Sequence, residues 1–271
     1  MDKLEELSKV KILRSCHEYG MYGIDQSGMF YIDPDGELIG QEPFEVYCDF
    51  EDGSTQVLHD HELTVEITPC PENMCFQLDL NYNVSMEQIV ALKDISESCS
   101  QDIQFNCYLA ALSINDEPIG SWLNKDGQEE TYFEGANHGE HICKCGVSHS
   151  CSDSEHNNVC NCDAQIPVEQ FDHGTISNAT ALPITGFKYG NMEFPGGQKA
   201  SIEISRMKCK GAKKIEPDHL MDSCSSLKIS GVTTSGNYYL NDGLVYFCEM
   251  TRQISDPAIQ HQIDNFAYPF L

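Results

Sequence analysis

Fourteen cysteines in 271 residues constrain this chain more than any other feature. The count is even, and cytosolic thiols are kept reduced, so the density implies a secreted, cross-linked protein. A chain of 30.3 kDa is long enough to bury a core, so the bridges are expected to reinforce a hydrophobic interior instead of replacing it. Part of the cysteine pattern occurs twice. Ser15-Cys16, ten residues, Ser27-Gly28 and later Val46-Tyr47-Cys48-Asp49 return as Ser223-Cys224, ten residues, Ser235-Gly236 and later Tyr246-Phe247-Cys248-Glu249. An aromatic, strand-like run follows each Ser-Gly step, Phe30-Tyr31-Ile32 and Tyr238-Tyr239-Leu240, and the loop before the second cysteine is eight residues shorter in the later copy. One small supersecondary unit was used twice.

The formal charge is −27, from 43 acidic and 16 basic residues. Between Arg14 and Lys93 there are 16 acids and no Lys or Arg, whereas residues 210–271 carry seven acids against five bases. The acidity therefore belongs to the body of the chain. Such a field repels nucleic acid and anionic membranes and gathers divalent cations or basic partners. It keeps a secreted protein soluble, and its sharper implication is weak surface association with Ca²⁺, a hard cation that takes oxygen ligands. No apolar run reaches the roughly 18 residues that a membrane-spanning helix needs. Met1 to Arg14 lacks the apolar centre of a signal peptide, and Leu4, Leu7 and Leu13 among Lys and Glu suggest part of an amphipathic helix, so the natural start is expected upstream.

Along the chain, Leu63 to Ile67 alternates apolar and polar residues as a half-buried strand does, and Pro69-Cys70-Pro71 ends it. Ser85-Met-Glu-Gln88 is a capping-box signature, and Ile89, Val90, Leu92 and Ile95 predict an amphipathic helix to about Ser96. A strand carrying Phe105, Cys107 and Leu109 on one face follows, with a local bridge between Cys99 and Cys107 expected to tie it to the helix end. Trp122, the one tryptophan, reads as a core anchor. Residues 124–142 read as loop. The segment Cys143-Lys-Cys145, Cys151, Cys160-Asn-Cys162 has almost no aliphatic residue besides two valines, so covalent links must hold it. Ile202-Glu-Ile204 is a short strand leading to Cys209, and 211 to 217 read as a linker.

Several constellations invite chemistry. The two Cys-x-Cys elements lie near His138, His141, His149 and His156, a set that could hold zinc. One intervening residue strains two thiolates onto one metal, and an oxidising compartment favours disulfides, so no metal site is assigned. His59-Asp-His61 reads as an exposed strand edge, not a ligand pair. Asp33-Pro-Asp35-Gly36 is a turn and fails the EF-hand pattern, its Gly being two residues early and position twelve being Phe44. Nucleophile elbows, zincin helices and phosphate-cradling glycine loops are missing, so no catalytic residue and no cofactor is assigned and an enzyme is not expected. Asn83-Val-Ser85 and Asn178-Ala-Thr180 are acceptor sequons for N-glycosylation.

Ser15-Cys16, Ser27-Gly28, Tyr31-Ile32-Asp33-Pro34 and Phe44-Glu45-Val46-Tyr47-Cys48-Asp49 resemble the opening of fibrinogen C-terminal-like domains. Ser85 to Gln88, Cys99 to Cys107, Trp122, and Cys143-Lys-Cys145-Gly146 leading to Cys160-Asn-Cys162-Asp163 resemble the fibrinogen-like module of contactin-associated proteins and neurexin IV. More distantly, the helix and the Cys107 strand resemble the C-terminal propeptide of fibrillar collagens. The resemblance implies a mixed, strand-rich α+β fold of fibrinogen C-terminal-like type, disulfide-stapled and with few helices. Its implied organisation is a helical or linker segment at 1–12, the fibrinogen-like domain at 13–210, a linker at 211–219 and a partial second copy of the first subdomain at 220–271.

By position the resemblance implies bridges Cys16–Cys48, Cys99–Cys107 and Cys224–Cys248. Cys143, Cys145, Cys151, Cys160, Cys162 and Cys209 would pair among themselves in one of fifteen ways, and Cys70 would join Cys75. Fibrinogen-like lectins place an Asp-rich calcium loop where this chain has its Cys-x-Cys segment, and Gln56-Val-Leu-His59 stands where Gly-Trp-Thr-Val is usual, so no lectin residues carry over. The function implied is that of a secreted, acidic extracellular matrix glycoprotein, structural or adhesive, similar to matrix proteins occluded in calcified biomineral. The alternative is a cell-adhesion or lectin-like module that binds a glycan or a cell-surface protein.

Overall fold

The computed structural model describes residues 12–36, 40–115, 117–134, 140–152, 158–192 and 197–213, and the backbone of 236–239 and 245–248. It is rich in strands and poor in helices. The first cysteine frame builds a helix on a hairpin. Ser15 caps α1 (Cys16–Met21), its hydroxyl accepting the Glu18 N–H at 3.4 Å, which satisfies a donor that the helix cannot. Strands β1 (Gly28–Ile32) and β2 (Phe44–Asp49) pair antiparallel with Gly28 opposite Cys48. Period-2 alternation sends Val46 and Cys48 inward, and Cys48 bonds Cys16 beneath the helix. Asp33 forms the turn that follows β1, its carboxylate and carbonyl both accepting the Gly36 N–H.

An eight-stranded sheet runs in the order β1-β2-β3-β14-β6-β13-β4, with β11 on the far edge of β6. Here β3 is Ser54–Val57, β4 Val65–Glu66, β6 Ser98–Tyr108, β11 Gln170–Ile176, β13 Lys199–Ile204 and β14 Met207–Lys210. The long β6 organises the rest. β13 pairs Lys199 with Tyr108 and Ile204 with Ile103, then β14 pairs Lys208 with Ser100, a slip of one residue around Ser205 and Arg206. That slip is a bulge, the device by which a strand bends within a sheet, and the Ser205 hydroxyl accepts the Asp102 N–H there at 2.8 Å. Basic residues at the bulge and in β14 return charge to the acidic half of the chain. Arg206 pairs with Glu62 at 2.6 Å and Lys210 with Asp52 at 3.1 Å.

A second sheet, in the order β10-β9-β12-β5, consists of β10 (Glu129–Glu130), β9 (Gly120–Leu123), β12 (Gly186–Tyr189) and β5 (Phe76–Asp79). The core lies between the inner faces. Phe105 of β6 meets Phe187 and Tyr189 of β12 at ring separations of 6.1 and 5.1 Å. Trp122 is fully buried and its indole N–H donates to the Tyr132 carbonyl at 2.6 Å, a core anchor with its polar handle satisfied. α2 (Met86–Ile95) carries the capping box, Gln88 N–H to Ser85 Oγ and Ser85 N–H to Gln88 Oε1, and buries Ile89 and Leu92. β7 (Ser113–Ile114), β8 (Glu117–Pro118), α3 (Lys144–Val147) and a 3-10 turn at Cys162–Ala164 complete the body.

The disulfides correct the expected pairings. Cys99 bonds Cys209 and Cys107 bonds Cys162, so there is no Cys99–Cys107 bridge. Both cysteines lie on β6, and eight residues of extended chain separate them by roughly 26 Å, far beyond the roughly 7 Å that a disulfide tolerates between Cα atoms. Cys99 instead faces Cys209 across the β6–β14 ladder, with Cα atoms 4.1 Å apart. Cys162 and Cys209 therefore leave the group expected to pair internally, while Cys143 bonds Cys160 and Cys145 bonds Cys151 within it. Cys70 bonds Cys75. Cys224 lies outside the described residues, as does the N-terminal helical segment before Ile12. The later frame nonetheless repeats the earlier one in backbone. β15 (Gly236–Tyr239) pairs β16 (Val245–Cys248) with Gly236 opposite Cys248, the register that Gly28 and Cys48 adopt.

Candidate functional site

Four strands, β11, β6, β13 and β4, carry a groove of about 490 Å³ on the outer face of the large sheet. Alternation places its walls. Phe105 and Cys107 point into the core, so Asn106 and Tyr108 point out; likewise Ala200 and Ile202 are buried while Lys199 and Ser201 line the groove. Register sets the rows, with Phe171 and Ser201 on either side of Asn106, and Glu66 beside Ser201. Neighbouring polar side chains are fixed by one another. Gln104 Nε2 donates to Asn106 Oδ1 at 2.8 Å, Asn106 Nδ2 to Ser201 Oγ at 3.2 Å, and Thr64 Oγ1 to Glu203 Oε1 at 2.8 Å. Rings flank this ladder on two sides. Phe171 is half exposed and lies 5.7 Å from the His173 ring, and the Lys199 ammonium sits 6.0 Å over Tyr108. The groove thus offers fixed hydrogen-bonding groups and the half-exposed Phe171 ring to a ligand.

Behind the groove, Asp172 of β11 points the other way and is buried. Its two oxygens accept the N–H groups of Asn161 and Cys162, each at 2.8 Å. Burial raises its pKa to about 6, against the pull of those two donors. It pins the cysteine-rich segment to the sheet. Asp163 in that segment accepts the Leu112 and Ser113 N–H groups through Oδ1 and meets His141 Nε2 at 2.8 Å through Oδ2.

His141, Cys160 and Asp163 cluster, as do Cys143, Cys160 and Asp172. Cys143 and Cys160 are bonded to each other, so they offer no thiolate, and every described cysteine up to Cys209 is in a disulfide. With that bridge formed, what remains of the clusters is the His141–Asp163 contact and Asp172 as a backbone acceptor. His138 and His156 lie outside the described residues, and His149 is exposed in the turn after α3. His59 is buried, not on an exposed strand edge: its Nδ1 accepts the His61 N–H and its Nε2 faces the Ser205 carbonyl at 3.1 Å. Desolvation lowers its pKa, which favours the neutral ring, and the imidazole packs at the bulge between β13 and β14. Asn83 and Asn178 are both exposed. The Asn83 amide donates to the Glu45 carbonyl at 3.2 Å, whereas Asn178 Oδ1 accepts from Thr180 Oγ1 at 2.7 Å and from the Thr180 N–H at 3.0 Å.

Of the groove residues, Cys107 stood out in the sequence, but as a core-facing bridge partner and not as part of a binding surface. The signal available was the alternation Phe171-Asp-His173, an aromatic period-2 face with a polar residue turned inward, but it spans three residues in a stretch without other pattern.

No family model matches the chain. It is 32% identical over 202 residues to contactin-associated protein 1 of Rattus norvegicus and of Homo sapiens, an alignment covering 73% of this chain and 14% of that protein. Neurexin-4 of Drosophila melanogaster is 28% identical over 222 residues, 77% of this chain and 17% of that protein. The chain is homologous to a segment of these proteins and spans less than a fifth of their length.

Proposed function

We propose that the chain is an extracellular, non-enzymatic recognition module of adhesion type, with residues 13–210 as one fibrinogen C-terminal-like domain that binds a cell-surface protein. The observation that carries this reading is the 202-residue match to contactin-associated protein 1, a protein named for its association with another. Six disulfides in the described body support an oxidising, extracellular setting. The sequons at Asn83 and Asn178 are read as glycan carriers on exposed surface. The test is to express the full chain through a secretory pathway and titrate it onto cells that do or do not display a contactin ectodomain. Saturable binding that requires a cell-surface protein supports the reading; binding that protease treatment of the cells leaves intact refutes it.

A second reading rests on the charge of −27: association with Ca²⁺ or calcified biomineral in an extracellular matrix. It predicts millimolar, multi-site Ca²⁺ binding by calorimetry and retention on calcium carbonate. Flat calorimetric traces with free passage over the mineral would sink it.

A further inference from the structure

We infer that the groove on β11, β6, β13 and β4 binds an extended protein segment bearing arginine, and that Glu66 and Glu169 are its anchoring carboxylates. The inference rests on the recognition-module reading and supplies the surface and the chemistry of the partner. Glu66 and Glu169 line the groove and are exposed; among the described residues neither carboxylate takes part in a side-chain hydrogen bond or an ion pair, although the Glu66 backbone is paired with β13. Other charges nearby are committed. Glu203 is taken by Thr64 and Asn106, and Asp102 by Thr175 and Lys208. The one cation lining the groove, Lys199, lies over the Tyr108 ring, which shows that this ring face accommodates a positive group.

Charge complementarity selects the occupant. A protein of charge −27 with two free carboxylates in its groove repels anionic ligands and draws cationic ones. Guanidinium suits this lining better than ammonium, because it pairs with carboxylates through two parallel N–H groups and stacks on rings such as Phe171. The sheet ends at β4, so the groove is open along that edge and a chain can run through it, backbone groups meeting Asn106 and Ser201.

The probe is a short synthetic peptide carrying two arginines spaced by one glycine, titrated into the full chain by calorimetry and by amide NMR. Shifts centred on Asn106, Tyr108, Phe171 and Ser201 are expected, with affinity falling roughly tenfold in Glu66→Gln/Glu169→Gln and in Phe171→Ala. Glu51→Gln/Glu117→Gln removes the same charge from exposed sites elsewhere and is expected to change affinity less than about twofold. Equal losses in the two double variants overturn the proposal, because binding would then be diffuse attraction to an acidic surface. Shifts in the groove with a neutral oligosaccharide and none with the peptide overturn it as well. Cell binding that persists unchanged in the groove variants refutes this inference and leaves the recognition reading intact. Loss of cell binding altogether with retained peptide binding does the reverse.

Discussion

Removing the Cys99–Cys209 bridge is expected to destabilise the body more than removing any other described disulfide. In the chain-entropy account, a cross-link stabilises by restricting the unfolded state, and its contribution grows with the logarithm of the loop it closes. Cys99 and Cys209 are 110 residues apart, Cys70 and Cys75 only 5. The constant part cancels between the two, leaving a difference of about 2.7 kcal/mol at room temperature on top of roughly 2 kcal/mol for the short loop. Packing acts in the same direction, since Cys99 and Cys209 are both buried in the sheet while Cys75 is exposed. The assay is urea unfolding of Cys99→Ala/Cys209→Ala beside Cys70→Ala/Cys75→Ala, each refolded with its other bridges formed. With a denaturant slope of about 2–3 kcal/mol/M, the midpoints should differ by roughly 1 M. Equal midpoints, or a lower midpoint for the Cys70/Cys75 variant, would refute the reasoning. So would a peptide map of the parent in which Cys99 is joined to Cys107.

Three further outcomes follow from named contacts. The Asp172 carboxyl, raised by burial to about 6, should titrate near pH 6 by carbon NMR, and a midpoint near the ordinary 3.8 would contradict its placement. Because the folded state holds that proton more tightly, its contribution to stability is full below about pH 4 and is lost as pH rises through 6. Gly174→Ala should destabilise the body by about 3 kcal/mol or more, since an added Cβ overlaps the Phe133 backbone carbonyl; a thermal midpoint unchanged from the parent would show that β11 and residue 133 are not so close. Ser85→Ala should cost about 1 kcal/mol through the lost cap of α2, and a variant as stable as the parent would remove the capping box from the account.

Local signals were legible and long-range ones were not. The capping box at Ser85–Gln88 forms as its spacing predicts because both partners lie within one helical turn. The doubled frame is visible as two hairpins of one register, since the hairpin is also a short-range object. The Cys99–Cys107 expectation failed for a physical reason: closeness in sequence is distance in an extended strand, and β6 is extended across both residues. The strand at 63–67 shrinks to Val65–Glu66, laddered to Ser201 and Ile202 of β13, with the Ile67 N–H reaching the Ala200 carbonyl just beyond it. His59 looked like part of a polar edge, yet the bulge at Ser205 draws its imidazole inside. The groove was illegible because its walls come from positions 66, 106 to 108, 169 to 171 and 199 to 201, and only the register of four strands makes them neighbours.

The central claim is that this disulfide-stapled, acidic body recognises a protein at a cell surface. The most direct measurement is equilibrium binding of the secreted full chain to intact cells, before and after the cells are treated with protease and, separately, with glycosidase. The account predicts saturable binding that protease abolishes and glycosidase leaves in place. Binding that glycosidase abolishes and protease spares would contradict it.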